Sequence, residues 1–366
     1  MVRQGLGAAV LSFVLLIGFP AGADEAAAHG HDRAVTVMTR NLYVGSDLGP
    51  VLAAPDFPAV VAAVSAIFAS AQATDMPGRM EAIADEIARA RPDLIGLQEA
   101  ALWRTGAFTP PFRTPATTVA FDFIELLVHA LAARGLHYDV AATTINLDAQ
   151  LPGFTSNGLE EIRLTDRDAI LVRRGGDGPL LRWSPADVVT GNFATNVTLP
   201  SPGLGAITIP RGFAAIDVII GETAVRFLTT HLETVSAAVQ VAQAQELLAG
   251  PGTTTLPLIL VCDCNSSASG TGLDVTPTYD ALIAAGLDDS WTDKHGRAPG
   301  FTCCQAADLQ NLPSALDERI DLILLRGDVG VRHARLTGAR PGDRTSGPAR
   351  LWPSDHAGVT ATLDLP

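Results

Sequence analysis

Leu94-Ile95-Gly96-Leu97-Gln98-Glu99 (LIGLQE, residues 94–99) is an apolar run that ends abruptly on a carboxylate. Just before it, within 78–91, Met80, Ile83, Ala84 and Ile87 fall on one face at helical spacing, and Pro92 closes the segment. The order is helix, turn, strand, acidic residue. The same order of apolar run and polar stop recurs elsewhere. Val35 to Thr39 leads into Arg40-Asn41, Val225 to Thr230 into His231, and Leu258 to Cys262 into Asp263, with Asn265 two places on; Asp355-His356 stands just before the run 358–363. Such a pattern predicts polar groups converging at one edge of a sheet, the place where ligands bind in α/β proteins.

Further helices are predicted over 57–72, 121–134 and 235–249. Strands are predicted over 137–147, 161–173, 206–219, 224–230, 257–262, 320–326, 331–337 and 358–364. Single βα units are mixed with runs of strands, so neither a purely parallel doubly wound sheet nor an all-β sandwich fits. No repeat or linker divides 35–366, which reads as one domain. Trp103 to Thr118, with Phe108, Pro110, Pro111 and Phe112, is expected to be a Pro/Thr-rich loop able to meet a substrate.

The 366 residues are 47% hydrophobic and 17% charged, with a mean hydropathy of +0.25, which excludes a disordered chain, a collagen repeat and a coiled coil. Net charge is −14 and Lys294 is the only lysine. An acidic chain lacks the summed positive field that drives nonspecific nucleic-acid binding. A local arginine can still hold a phosphate through its planar fork of donors, and Arg167 and Arg211 are candidates for it.

Arg3, the apolar run 6–19 and Ala21-Gly22-Ala23 read as a secretory signal peptide over 1–23, followed by a flexible lead-in over 24–34 that carries His29 and His31. The expected mature chain is secreted or periplasmic, monomeric, and without stable membrane insertion. Export permits disulfides among Cys262, Cys264, Cys303 and Cys304. Three connectivities exist. A link between the two segments is sterically easier than one between the adjacent residues 303 and 304, and a CxC…CC metal site is the sharper alternative.

Glu99, Asp263 and Asp355 offer hard oxygen donors of the kind Mg²⁺ or Ca²⁺ prefers, and no zinc-type HExxH pattern is present. His231 and His356 serve as acid, base or phosphate donor only if a partner orients each ring, and Asp321 is the expected partner of His356. His129, His137, His295 and His333 stand in no motif and read as structural.

Taken together and in order, Thr39-Arg40-Asn41, Gln98-Glu99, Thr230-His231-Leu232, Cys262-Asp263-Cys264-Asn265, Arg319-Ile320-Asp321-Leu322 and Ser354-Asp355-His356 resemble the motifs of the endonuclease/exonuclease/phosphatase superfamily of metal-dependent phosphoesterases. The fourth motif departs from the family pattern, with Cys replacing Gly and Phe. The resemblance spans about 35–364 and implies a four-layer α/β sandwich of two packed mixed β-sheets flanked by helices. It implies that Glu99, with Asn41 and Asp355, holds Mg²⁺, Mn²⁺ or Ca²⁺ being alternatives. Asp263 would activate water, Asn265 and Asn41 would contact the phosphate, and His356, fixed by Asp321, would serve protons at it. His231 would stabilise the phosphate or leaving oxygen, oriented by Asp166 or Asp168, which share a strand face; Asp166 is preferred. The implied substrate is a phosphate ester: nucleic acid, phospholipid or small phosphodiester. The competing class is a noncatalytic binding module, against which the retention of Asp263 and His356 weighs.

Overall fold

The computed structural model describes residues 34–110, 114–175 and 180–366. The expected signal peptide, the lead-in through Arg33, and Pro111 and Phe112 lie outside the described residues.

Two mixed sheets stack face to face. The first runs in the order β15 (Gly330–Thr337), β16 (Gly358–Asp364), β1 (Ala34–Asn41), β2 (Leu94–Gln98), β6 (Gly158–Arg173), β3 (Leu102–Ala107) and β4 (Thr118–Asp122), with β5 (Tyr138–Thr155) paired along β6. The second runs β13 (Asp288–Asp289), β14 (Asp321–Arg326), β12 (Leu258–Asp263), β11 (Thr223–His231), β10 (Gly212–Ile220) and β7 (Leu181–Asn192). A separate ribbon pairs β8 (Val197–Ser201) with β9 (Gly205–Ile209). The helices among the described residues are α1 (Gly49–Ala53), α2 (Phe57–Ala73), α3 (Met76–Ala90), α4 (Phe123–Ala133), α5 (Ala237–Ala249), α6 (Thr278–Ala284) and α7 (Ser290–His295). None of them is by itself long and apolar enough to cross a membrane.

Four layers follow from residues that are apolar on both strand faces, as sheets covered on both sides require. Between the sheets, Val37, Leu94, Ile170 and Val359 meet Phe227, Val261 and Ile323 in one core. On the outer face of the first sheet, Ile95, Leu97, Ala169 and Leu171 join Met80, Ile83, Ile87 and Leu127 of α3 and α4. On the outer face of the second, Leu228, Leu260 and Leu322 join Ala244, Leu247 and Leu282 of α5 and α6. Each fully buried aliphatic side chain contributes roughly 1.5–3 kcal/mol. Helix ends are set locally: Asp56 accepts from the Ala59 N–H and Asp75 from the Gly78 N–H, while α3 stops at Arg91, in the left-handed region, before Pro92.

Several expectations need correction. The segment from Trp103 to Thr118 is not a loop throughout. It contains all of β3 after its first residue and the first residue of β4, and Trp103 is buried, donating its indole N–H to the Val44 carbonyl. The run 206–219 is two strands in different sheets, broken at Pro210-Arg211, where Pro withholds a ladder donor. The structure brings the Cys262 and Cys264 sulfurs together, and likewise those of Cys303 and Cys304, in place of the expected easier approach of one segment to the other. Strand β7 and helices α6 and α7 carry weak apolar patterning and escaped the sequence reading.

Gly96, in the middle of β2, marks a close approach of the two sheets. A Cβ there would sit 2.3 Å from Val261 Cγ2 and 2.7 Å from Thr229 Oγ1. Gly96→Ala is therefore expected to push the sheets apart and cost about 1–3 kcal/mol, read as a lower urea midpoint at unchanged m-value. An unchanged midpoint would show that the seam yields freely.

Candidate active site

Strand pairing alone brings the polar stops together. Parallel pairing sets Asn41 beside Gln98 and, in the other sheet, His231 beside Asp263. The antiparallel β14 begins at Asp321, opposite Asp263, and the antiparallel β16 begins just after His356. Chain direction therefore delivers six motif segments to one edge of the two-sheet stack.

Asn41 spans the seam between the sheets. Its Nδ2 donates to Glu99 Oε1 (3.1 Å) in its own sheet's loop and to Asp263 Oδ2 (2.8 Å) in the other sheet, while its Oδ1 accepts from the Tyr43 N–H (2.8 Å). Glu99 sits in the left-handed region at φ 52°, which turns its carboxylate off the end of β2 to accept from the Val44 N–H at 2.7 Å. Beneath it, Gln98 accepts from Thr39 and donates to Thr229 Oγ1 at 2.9 Å, a second cross-sheet link.

Asp263 lies at the centre, 3.6 Å from His231 Nε2 and 3.8 Å from His356 Nδ1. Burial pushes its carboxyl up to about 7; His356 pulls it back and Asp321 pushes it further. Asn265, at φ 46°, donates its backbone N–H to Asp263 Oδ1 (3.1 Å) and its Nδ2 to the Leu232 carbonyl (2.9 Å). Asp355 is also raised, to about 6, by burial and Glu99 against the pull of His356 and Arg79.

The two histidines are driven to opposite charge states. His356 Nδ1 meets Asp321 Oδ2 at 2.9 Å; burial opposes its charge, yet Asp321, Asp355 and Asp263 together hold it well above the usual histidine range. His231 is held well below that range by burial, Arg211 and His356. Arg211 Nη1 lies 3.0 Å from His231 Nδ1, and because arginine only donates, Nδ1 must accept and Nε2 carries the proton.

Asp166 is 3.9 Å from Arg211 Nη1 and accepts from Asn146 Nδ2 at 3.4 Å, so Arg211 stands as the link between Asp166 and His231. Burial raises Asp166 to about 6, and burial with Asp166's charge raises Asp168 behind it well above the usual carboxyl range. Arg167 is not brought to the cleft. Alternation along β6 turns it to the opposite face, where it binds Asp122 (2.7 Å) and the Ala100 carbonyl (2.8 Å).

Three residues escaped the sequence reading. Arg79, fully buried on α3, donates to the carbonyls of Leu42, Tyr43 and Pro353, lacing the Asn41 loop to the Asp355 loop. Asn146 steadies Asp166, and Glu233, two positions past His231, lines the adjoining cavity. An arginine beside the apolar stripe of α3 was the available signal for Arg79.

Glu99, His231 and Asp263 present ligand atoms within 4.8 Å of one another, and Asp355 raises the acidic density further. Several buried carboxyls of raised affinity for protons are what a cation site looks like when only protons are present to balance it. The donor set is dominated by oxygen and fits a hard divalent cation.

A family model described as the Endonuclease/Exonuclease/phosphatase family matches residues 41–356. No curated protein sequence matches significantly. Among solved structures, an endonuclease/exonuclease/phosphatase family protein from Bacteroides thetaiotaomicron aligns with TM-score 0.53 at 19% identity, covering 91% of this chain and 98% of the other. A mannosyl-6-phosphatase from the same organism gives 0.52 at 17%, covering 90% and 100%. D. rerio TDP2 complexed with single strand DNA product gives 0.52 at 14%, covering 91% and 99%. At these identities the likeness is one of fold.

The raised carboxyl of Asp263 has a consequence for stability. Its proton is held more tightly in the folded protein than in the unfolded chain, so its contribution is full below about pH 4 and drains away as pH rises through about 7. In EDTA, wild type is therefore expected to lose stability relative to Asp263→Asn across that window. Thermal unfolding of both proteins from about pH 4 to about pH 8 checks it; a constant difference would contradict the raised carboxyl.

Proposed function

Because the chain belongs to the Endonuclease/Exonuclease/phosphatase family, whose members are hydrolases acting on phosphoester bonds, we propose that it hydrolyses a phosphate ester by direct in-line attack of water. The observation that carries this reading is Asp263 Oδ2, bracketed by Asn41 and within 4 Å of both His231 Nε2 (3.6 Å) and His356 Nδ1 (3.8 Å). The named relatives agree at this coarse level: one is a phosphatase of a sugar phosphate and another holds a DNA product.

Asp263, with a proton affinity near neutrality, accepts the proton of the attacking water on a carboxylate oxygen. Asn41 and the Asn265 N–H keep that carboxylate aimed. His231, neutral and with its proton on Nε2, donates a hydrogen bond to a phosphoryl oxygen without adding charge. His356 is the cationic donor: Asp321 holds Nδ1, which leaves Nε2 to protonate the oxygen that departs as the phosphorus–oxygen bond breaks. A divalent cation, Mg²⁺ in this proposal, held by Glu99 and Asp355, would neutralise charge on the phosphoryl oxygens.

The amino-terminal pattern of Arg3, an apolar run and Ala21-Gly22-Ala23 adds export to the proposal. An oxidising compartment would let the pairs Cys262–Cys264 and Cys303–Cys304 persist as disulfides.

Incubation with bis-p-nitrophenyl phosphate, plasmid DNA, RNA, sphingomyelin and phosphatidylcholine in Mg²⁺ is expected to give cleavage of at least one substrate. EDTA should abolish it. His356→Gln should lower kcat/KM about a hundredfold to ten-thousandfold, and Asp321→Asn, by releasing His356's proton more easily, should move the upper limb of the pH profile to lower pH. Intact substrates throughout with Mg²⁺, Mn²⁺ and Ca²⁺ would sink the hydrolase reading.

A further inference from the structure

The acidic edge opens directly into a cavity of about 410 Å³ whose walls are mostly hydrocarbon. Glu99, Asp355, His231 and Arg211 line one end of it. The remainder is walled by Val64 and Ile67 of α2, Ile162 and Leu164 of β6, and Leu204 and Ile207 around β9. Its size is in the range that takes a drug-sized organic group.

The β-strand period explains how one cavity comes to have two ends. On one face of β6 the residues run Ile162, Leu164, Asp166, Asp168, Ile170. The first pair lines the cavity, Asp166 reaches the Arg211–His231 link, and Ile170 joins the core between the sheets. A single rigid strand thus fixes the distance from hydrocarbon wall to reaction centre. The β8–β9 ribbon covers the far side and is tied down where the Gly203 N–H donates to the Ala54 carbonyl at 3.0 Å, with no room for a Cβ against Asp56 and Val60. Arg211 is the cationic side chain among the cavity's lining residues, beside Asp47, Glu99, Asp166, Glu233 and Asp355.

This surface is unsuited to a polyanion. A nucleic-acid strand would need a basic track for successive phosphates and aromatic platforms for its bases. Here the group attached to the phosphate meets mainly aliphatic side chains, and the two aromatic residues in the lining, Tyr43 and Trp103, are only 5% and 2% exposed. We propose that the cavity receives the hydrocarbon chain of the substrate, making this a site for a lipid phosphate ester with its one phosphate at the polar end lined by His231 and Arg211 and its alkyl or acyl group between α2, β6 and β9. The proposal rests on the phosphoesterase reading for the chemistry, and on the cavity for the substrate class.

Isothermal titration of the purified protein in Mg²⁺ with n-alkylphosphonates, from methyl to dodecyl and below micelle formation, tests binding without requiring turnover. Affinity should rise at least about tenfold between methyl and octyl, since each buried methylene favours the complex. Ile207→Asp and Val51→Asp, both at half-buried positions that line the cavity, should each flatten that rise while circular dichroism shows them folded. An affinity independent of chain length, or a rise that both charged variants leave intact, overturns the proposal. So does a single-stranded oligonucleotide that displaces dodecylphosphonate at lower concentration than octylphosphonate does. Hydrolysis of small phosphodiesters with flat phosphonate affinity defeats the lipid inference and leaves the phosphoesterase. Chain-dependent binding with no ester cleaved defeats the phosphoesterase reading and leaves the cavity.

Discussion

The amide of Asn41 is the contact on which the active edge depends. Its two Nδ2 bonds join Glu99, carried by the first sheet, to Asp263, carried by the second, so the separation of the sheets and the geometry of the carboxylates are one quantity. Gln98 repeats the bridge one layer down through Thr229, and Gly96 below that has no side chain because the sheets leave no space for one. Cross-sheet hydrogen bonds of this kind are worth about 1 kcal/mol each, or more when the acceptor is charged. Their larger effect is positional, because neither sheet can slide without breaking the bracket.

Holding so many carboxyls together requires buried cations, and two arginines supply them. Arg40 pairs with Glu86 at 2.9 Å with both side chains fully buried, and its other arm reaches the His356 carbonyl. Arg79 ties together the Leu42, Tyr43 and Pro353 carbonyls, with Asp355 the main charge favouring its ionised form. Replacing such pairs by hydrocarbon is often no less stable, so stability is a poor reason for their presence. What they fix is register: Asp355 and His356 lie outside the strands, and the guanidinium forks tie their segment to the end of β1 and the turn that follows it.

The sequence made the strand ends legible because β-runs there are apolar on both faces and stop on a polar group, as in LIGLQE and LILVCD. Asn41, Glu99, His231 and Asp263 fall at such stops, while Asp321 opens β14 and His356 stands just before β16; the sheets bring both kinds of end to one edge. Arg167 was misplaced for the opposite reason: its neighbours Asp166 and Asp168 point inward, and alternation sends the residue between them to Asp122. Arg79 and Asn146 were missed because their roles are tertiary. Helical spacing places Arg79 near an apolar stripe but says nothing of the three carbonyls it meets, and Asn146 lies on a strand whose register shifts between Ile145 and Asp148. The Cys pairing was left open in the sequence, because the steric ease of one link is a local consideration that does not choose among three connectivities.

The electrostatics of the edge follow from placing two histidines around one buried carboxylate with unequal partners. His356 has three acidic neighbours and is pushed toward its cation; His231 has an arginine on Nδ1 and is pushed toward neutrality. One imidazole therefore offers a transferable proton, the other only a hydrogen bond, while Asp263 between them sits near 7 and can take a proton up. Separating titratable groups in this way lets a single small site both accept and donate a proton at the same pH. The separation depends on Arg211, which also stands where the polar edge gives way to aliphatic wall. A guanidinium at that boundary keeps His231 toward its neutral form, with Nδ1 accepting.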